Sequence, residues 1–240
     1  MQKLFIDYTP EKQIILDGEQ ARHVAKSLRM RVGDMLTVTD GAGNDFGCQI
    51  DAITKDTVTL SVCYQRACES EPDCRVTIYQ GVPKGSKLED IIQKCTELGV
   101  SAIVPTLTKR CVSRPDGKSA AKKTDRYRKI ALEAAQQSGR GIVPEIAPQC
   151  SLKEAIAADD SEVKILFYEG GGEKITSLIN SDVKSVSVYI GPEGGFDADE
   201  VALLRESGAV VATLGKRILR TQTAPVAALT AIMLLTNNLE

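Results

Sequence analysis

Two short segments of this chain carry residue types that could cradle a ligand. The first is Ile190-Gly191-Pro192-Glu193-Gly194-Gly195-Phe196, lying between an apolar run and a helix start at Asp197. Glycines let backbone donors and acceptors come close to a bound molecule. The carboxyl end of a strand is where open α/β sheets bind ligands. The segment lacks the Lys-Ser/Thr of a Walker A loop and is not G-x-G-x-x-G. On its own it reads equally well as a plain tight turn. The second is Leu214-Gly215-Lys216-Arg217-Ile218-Leu219-Arg220-Thr221-Gln222-Thr223-Ala224-Pro225. It too follows an apolar run and precedes a helix, with Thr223 as N-cap and Pro225 in the first turn. Two loops with matching strand-to-helix placement are poorly explained by coincidence.

The elements that must hold these loops belong to the second of two regions. Residues 4–8, 13–16, 35–40, 46–53 and 57–64 alternate apolar and polar residues or are rich in β-branched ones, as short strands do. Glycine- and aspartate-bearing turns separate them, and one helix at 19–28 interrupts them. This pattern predicts a small barrel. Residues 67–73 are polar and contain Pro72, which suits a linker. Beyond it the pattern changes to strands at 75–81, 102–107, 163–168, 186–190 and 209–214. Helices are predicted at 86–98, 124–137, 151 onward, 197–207 and 223–237. Ser86 with Glu89 and Ser151 with Glu154 have the spacing of capping boxes. The alternation predicts an α/β domain around a mostly parallel sheet, with domains at 1–70 and 74–240.

Composition narrows the function classes. The 240 residues carry a formal net charge of -2, which does not advertise nucleic-acid binding, but the charge is unevenly placed. Residues 21–32 hold Arg22, Lys26, Arg29 and Arg31 with no acid, and residues 109–129 hold nine Lys or Arg against Asp116 and Asp125. Such patches suit a selective polyanion binder, and each alone is also compatible with a solvated face. The seven cysteines are scattered without a C-x-x-C pair, and His23 is the only histidine. We therefore expect no metal site, and free thiols in a reducing compartment. Asp7 interrupts the N-terminus before a leader's apolar region could form. The longest apolar run, 224–235, is too short to cross a bilayer, which needs about 20 residues. A cytoplasmic protein with no membrane partner is expected.

Four stretches carry a family resemblance. They are Leu28-Arg29-Met30-Arg31-Val32-Gly33-Asp34; Lys84-Gly85-Ser86-Lys87-Leu88-Glu89 running on to Gln93-Lys94-Cys95-Thr96-Glu97-Leu98-Gly99; Glu133-Ala134-Ala135-Gln136-Gln137-Ser138-Gly139-Arg140; and the two glycine-bearing loops. In these the chain resembles the bacterial small-subunit ribosomal RNA (uracil-N3)-methyltransferases, a SPOUT-class family. The resemblance implies an N-terminal PUA-like β-barrel that contacts RNA and a C-terminal SPOUT α/β domain with a deep trefoil knot. It implies a homodimer that methylates N3 of a uridine in the decoding region of 16S ribosomal RNA, within the small ribosomal subunit. S-adenosyl-L-methionine would be held by Ile190, Gly191, Pro192, Glu193, Gly194, Leu214, Gly215, Ile218, Leu219, Thr221, Thr223 and Ala224. RNA would be met by Arg22, Arg29, Arg31, Lys84, Arg110 and Arg140. Arg220 is the candidate catalytic cation for the uracil carbonyls. The chain departs from the family at Gln222, where a Glu is usual, and an amide cannot take a proton as a carboxylate does. Two alternatives stay open: a SPOUT enzyme acting on another RNA nucleotide, and a non-catalytic RNA-binding or assembly factor.

Overall fold

The computed structural model describes residues 3–114 and 116–239. Met1, Gln2, Pro115 and Glu240 lie outside the described residues, and with them the outer ends of the two expected domains and the first residues of the N-terminal reading. The described chain forms two compact units. One holds the residues up to Glu71 together with Ala135–Val143; the other holds Pro72–Ala134 and the residues from Pro144 onward. The sequence placed Ala135–Val143 in the domain 74–240, whereas in the fold this segment belongs to the first unit.

The first unit is a five-stranded sheet that curls into half of a barrel. Its strands are β1 (Lys3–Phe5), β2 (Gln13–Asp17), β3 (Met35–Thr39), β4 (Asn44–Ile53) and β5 (Thr57–Ala67), in the order β1-β3-β4-β5-β2. Alternation decides the faces. In β2, Ile14 and Leu16 point into the core while Gln13, Ile15 and Asp17 face out, as the two-residue period of a strand requires. Ile14 and Leu16 pack with Val38, Phe46, Ile50, Val58 and Leu60. The single helix expected at 19–28 is α1 (Gly18–Arg22) followed by a π-helical turn over His23–Ser27.

The second unit is built on a parallel sheet. In chain order it contains β6 (Arg75–Gly81), α2 (Lys87–Glu97), β7 (Ala102–Leu107), α3 (Gly117–Ser138, whose last residues belong to the first unit), β8 (Glu145–Ile146), β9 (Cys150–Ser151) and α4 (Leu152–Ala158). There follow β10 (Val163–Phe167), β11 (Glu173–Lys174), β12 (Ser185–Ile190), α5 (Ala198–Glu206), β13 (Val210–Thr213) and α6 (Ala224–Leu235). The strand order is β11-β13-β10-β12-β6-β7-β8, with β9 beside β7. β6 is buried along its length apart from Arg75, because helices cover both faces of a parallel sheet. Tyr79 of β6 and Tyr189 of β12 are register partners whose rings stack 4.7 Å apart. α2 buries Leu88, Ile91, Ile92 and Cys95, and burial pushes the Cys95 thiol up to about 12, the state of an inert core residue.

Capping follows the sequence at one predicted box and not at the other. Ser151 and Glu154 form both reciprocal bonds at the start of α4. Ser86 makes no side-chain cap: its ψ of 6° is not the extended geometry a cap needs. Glu89 turns instead to Arg126, 2.6 Å away. Asp197 and Glu200 form a box at α5 that the sequence reading did not identify.

Candidate active site

Three loops leave the carboxyl ends of β13, β10 and β12, which lie side by side in the sheet. They line a pocket of about 480 Å³. Parallel strands end together, so their following loops converge on one crevice. Ile190, Gly191, Pro192 and Glu193 enter from the β12 loop. Leu214, Gly215, Ile218, Leu219, Thr221 and Ala224 enter from the β13 loop, with Lys216, Arg217, Arg220 and Gln222 beside them. The third loop was not anticipated. Because β10 lies between β12 and β13, it brings Phe167, Tyr168 and Glu169 into the pocket. The run Gly170-Gly171-Gly172 directly after it was the available signal.

The β12 loop folds tightly on itself. The Gly195 amide donates to the Pro192 carbonyl at 2.9 Å. A Cβ on Gly191 would lie 2.9 Å from the Gly195 Cα, and Gly195 has a φ of +68°, a conformation that favours glycine. The loop also crosses the end of β6. A Cβ on Gly81 would meet the Pro192 ring at 2.5 Å, so only glycine fits there.

Side chains fasten both loops. Glu193 accepts from Lys87 Nζ at 2.5 Å and from the Lys84 amide at 3.1 Å. Burial works against its charge, but these hydrogen bonds outweigh it and hold the carboxyl below the usual glutamate range. The Thr221 hydroxyl donates to the Gly191 carbonyl at 2.9 Å, linking the two loops directly. Lys216, Arg217 and Arg220 are exposed, and their side chains make no hydrogen bond or ion pair among the described residues. Three unpartnered cations at the mouth of a pocket provide a site for an anion.

Several expected site residues are placed elsewhere. Gly194 and Thr223 do not line the pocket. The Gly194 carbonyl accepts from Arg110 at 2.9 Å, and a Cβ there would face the Arg110 side chain. The Thr223 side chain makes no cap bond. Arg110, expected to meet RNA, braces this loop and also lies 3.7 Å from Asp197. Arg140 departs furthest from expectation. It is 4% exposed and pairs with Glu71 at 2.7 Å, which also accepts from the Gly141 amide at 2.8 Å. A guanidinium so enclosed is not available to phosphate. Arg22, Arg29 and Arg31 are exposed in the first unit, and Lys84 is exposed in the second.

Comparisons with known proteins agree with this geometry. An RNA methyltransferase domain profile matches residues 69–233, and an RNA methyltransferase PUA domain profile matches residues 16–63. The chain is 36% identical to ribosomal RNA small subunit methyltransferase E of Bacillus subtilis, over 97% of this chain and 96% of that protein. It is 31% identical to the protein of the same name from Mycobacterium bovis, over 97% and 91%. The crystal structure of ribosomal RNA small subunit methyltransferase E from Neisseria gonorrhoeae, bound to S-adenosyl methionine, superposes with a TM-score of 0.89 at 30% identity over 98% of each chain.

Proposed function

The chain belongs to the ribosomal RNA small subunit methyltransferase E family, and from that premise we propose that it transfers a methyl group from S-adenosylmethionine to N3 of a uridine in the decoding region of 16S ribosomal RNA. The observation that carries this reading is the three-loop pocket with its unpartnered cations at the rim. A trefoil knot belongs to the same reading, as the fold expected of this family.

The residues fit the cofactor. A volume of about 480 Å³ lies within the range of roughly 300–1,000 Å³ usual for small-molecule sites. The backbone of Gly191, Leu214 and Gly215 lines the pocket, where glycine lets a ligand approach the chain closely, and Phe167, Ile190 and Leu219 supply apolar walls. Gly81 leaves room for the β12 loop to close. When bound, S-adenosylmethionine supplies an electrophilic methyl group. The chain's own work is to hold the acceptor base in line with it, which is where much of the rate of such a transfer originates. N3 of uracil must also lose its imide proton, which passes to solvent water, leaving negative charge on the carbonyl oxygens. Arg220 is the cation we assign to stabilise that charge, and Gln222 is a positioning amide rather than a base.

RNA is held by phosphate contacts from Arg29 and Arg31, and by Arg22 and Lys84. Replacing Arg29 and Arg31 together by glutamine is expected to weaken RNA binding and flatten its salt dependence, because fewer counterions are released. Titration of RNA at several salt concentrations measures the slope; a wild-type slope would remove this surface from the RNA contact. The protein works as a homodimer in the cytoplasm. α6 supports this, since it exposes Leu234 while burying Ala228, Leu229, Ile232 and Met233, and a helix apolar on most sides needs cover on most sides.

The decisive experiment incubates the purified protein with S-adenosylmethionine and small ribosomal subunits lacking the modification, followed by mass spectrometry of the digested rRNA. A 3-methyluridine at one position is the expected product. Methyl transfer to another position or base would replace the proposed target while leaving the enzyme class, and no transfer would favour an assembly factor.

A further inference from the structure

Gln80 is a polar residue near the carboxyl end of the buried strand β6, and Val76 and Ile78, which share its face, are apolar. It is 0% exposed. Its Nε2 donates to the Gly81 carbonyl at 3.0 Å and the Thr221 hydroxyl at 3.1 Å, with the Gly191 carbonyl at 3.4 Å. Three acceptors around one nitrogen settle which end of the amide is which. The Oε1 is buried with no partner among the described residues. An orphaned buried acceptor lowers stability, and an apolar side chain of the same shape would remove that cost. Local rules broken in this way mark functional sites more than structural ones.

We propose that Gln80 is a positioning residue of the cofactor site. From the carboxyl end of β6 it clamps the β12 loop at Gly191 to the β13 loop at Thr221, so that the two loops present one pre-formed pocket. The proposal rests on the reading that this pocket takes S-adenosylmethionine. A structural role and a positioning role then predict opposite pairings of stability and affinity. Gln80→Met keeps the volume and removes both the donors and the orphan. Its melting temperature should equal or exceed that of the wild type. Its Kd for S-adenosylmethionine should rise about tenfold, the equivalent of one well-made hydrogen bond. A double-mutant cycle with Thr221→Val tests the clamp itself. If Gln80 acts through Thr221, the combined variant should lose no more than the larger single loss.

Calorimetry of the full wild-type chain with S-adenosylmethionine comes first. Absence of binding there overturns the cofactor assignment and the clamp together. Wild-type binding with unchanged affinity in Gln80→Met overturns the clamp alone. So does a Gln80→Met chain that fails to fold or melts well below the wild type, because Gln80 would then be a structural residue. Additive losses in the cycle would show that it does not act through Thr221.

Discussion

Arg220→Ala is expected to lower the single-turnover methylation rate by about two to three orders of magnitude, the usual loss when one charge-stabilising donor is removed. RNA affinity should fall far less, since Lys216 and Arg217 remain at the same rim. The asymmetry follows from where the charge develops. The uracil carbonyls become anionic only as the proton leaves, so a cation there binds the transition state better than the ground state. Rapid-quench measurements with enzyme in excess separate the two quantities. A rate that falls only in step with RNA affinity would make Arg220 a phosphate contact. Gln222→Glu should alter the rate modestly. A gain of several orders of magnitude would instead identify a carboxylate at position 222 as the missing base.

Glu71→Ala should lower the stability of the first unit by about 3–5 kcal/mol, because it leaves a buried guanidinium without its carboxylate. Arg140 is 4% and Glu71 is 14% exposed, so water cannot replace the lost partner. The amides of Gly141 and Ile142 lose an acceptor at the same time. Urea titration followed by circular dichroism measures the loss. Replacing both partners, as Glu71→Leu with Arg140→Met, should recover most of it, since paired apolar replacement of a buried ion pair is often close to neutral. A loss below about 1 kcal/mol in Glu71→Ala would mean that the pair behaves as an exposed one.

Arg140 also shows how a sequence can mislead about a site. In the run Ser138-Gly139-Arg140-Gly141 it has the composition of a surface loop, and a loop arginine reads naturally as a phosphate ligand. Its partner lies 69 residues away, at a distance no local pattern reports. Glu89 is a similar case. Its spacing from Ser86 is that of a capping box, but Arg126, 37 residues on, takes the carboxylate.

What the sequence determined by itself were the features set by near neighbours. Local pattern placed β2, β6 and β12 close to their observed bounds: alternation in β2, and in β12 a mainly apolar run of the kind a strand buried on both faces needs. The Ser151–Glu154 box formed as spaced, since both of its bonds close within one helical turn. The glycine-bearing loops announced themselves because Gly191 and Gly195 answer to backbone geometry within a five-residue turn. Strand order was different. Nothing in the chain says that β10 inserts between β12 and β13, and that single fact brings Tyr168 and Glu169 to the pocket. Nor does the sequence explain Gln80, a polar residue in an apolar strand until Gly191 and Thr221 are brought over it from 111 and 141 residues away. Contacts of that separation depend on how the strands pack into one sheet, and only the tertiary structure decides that.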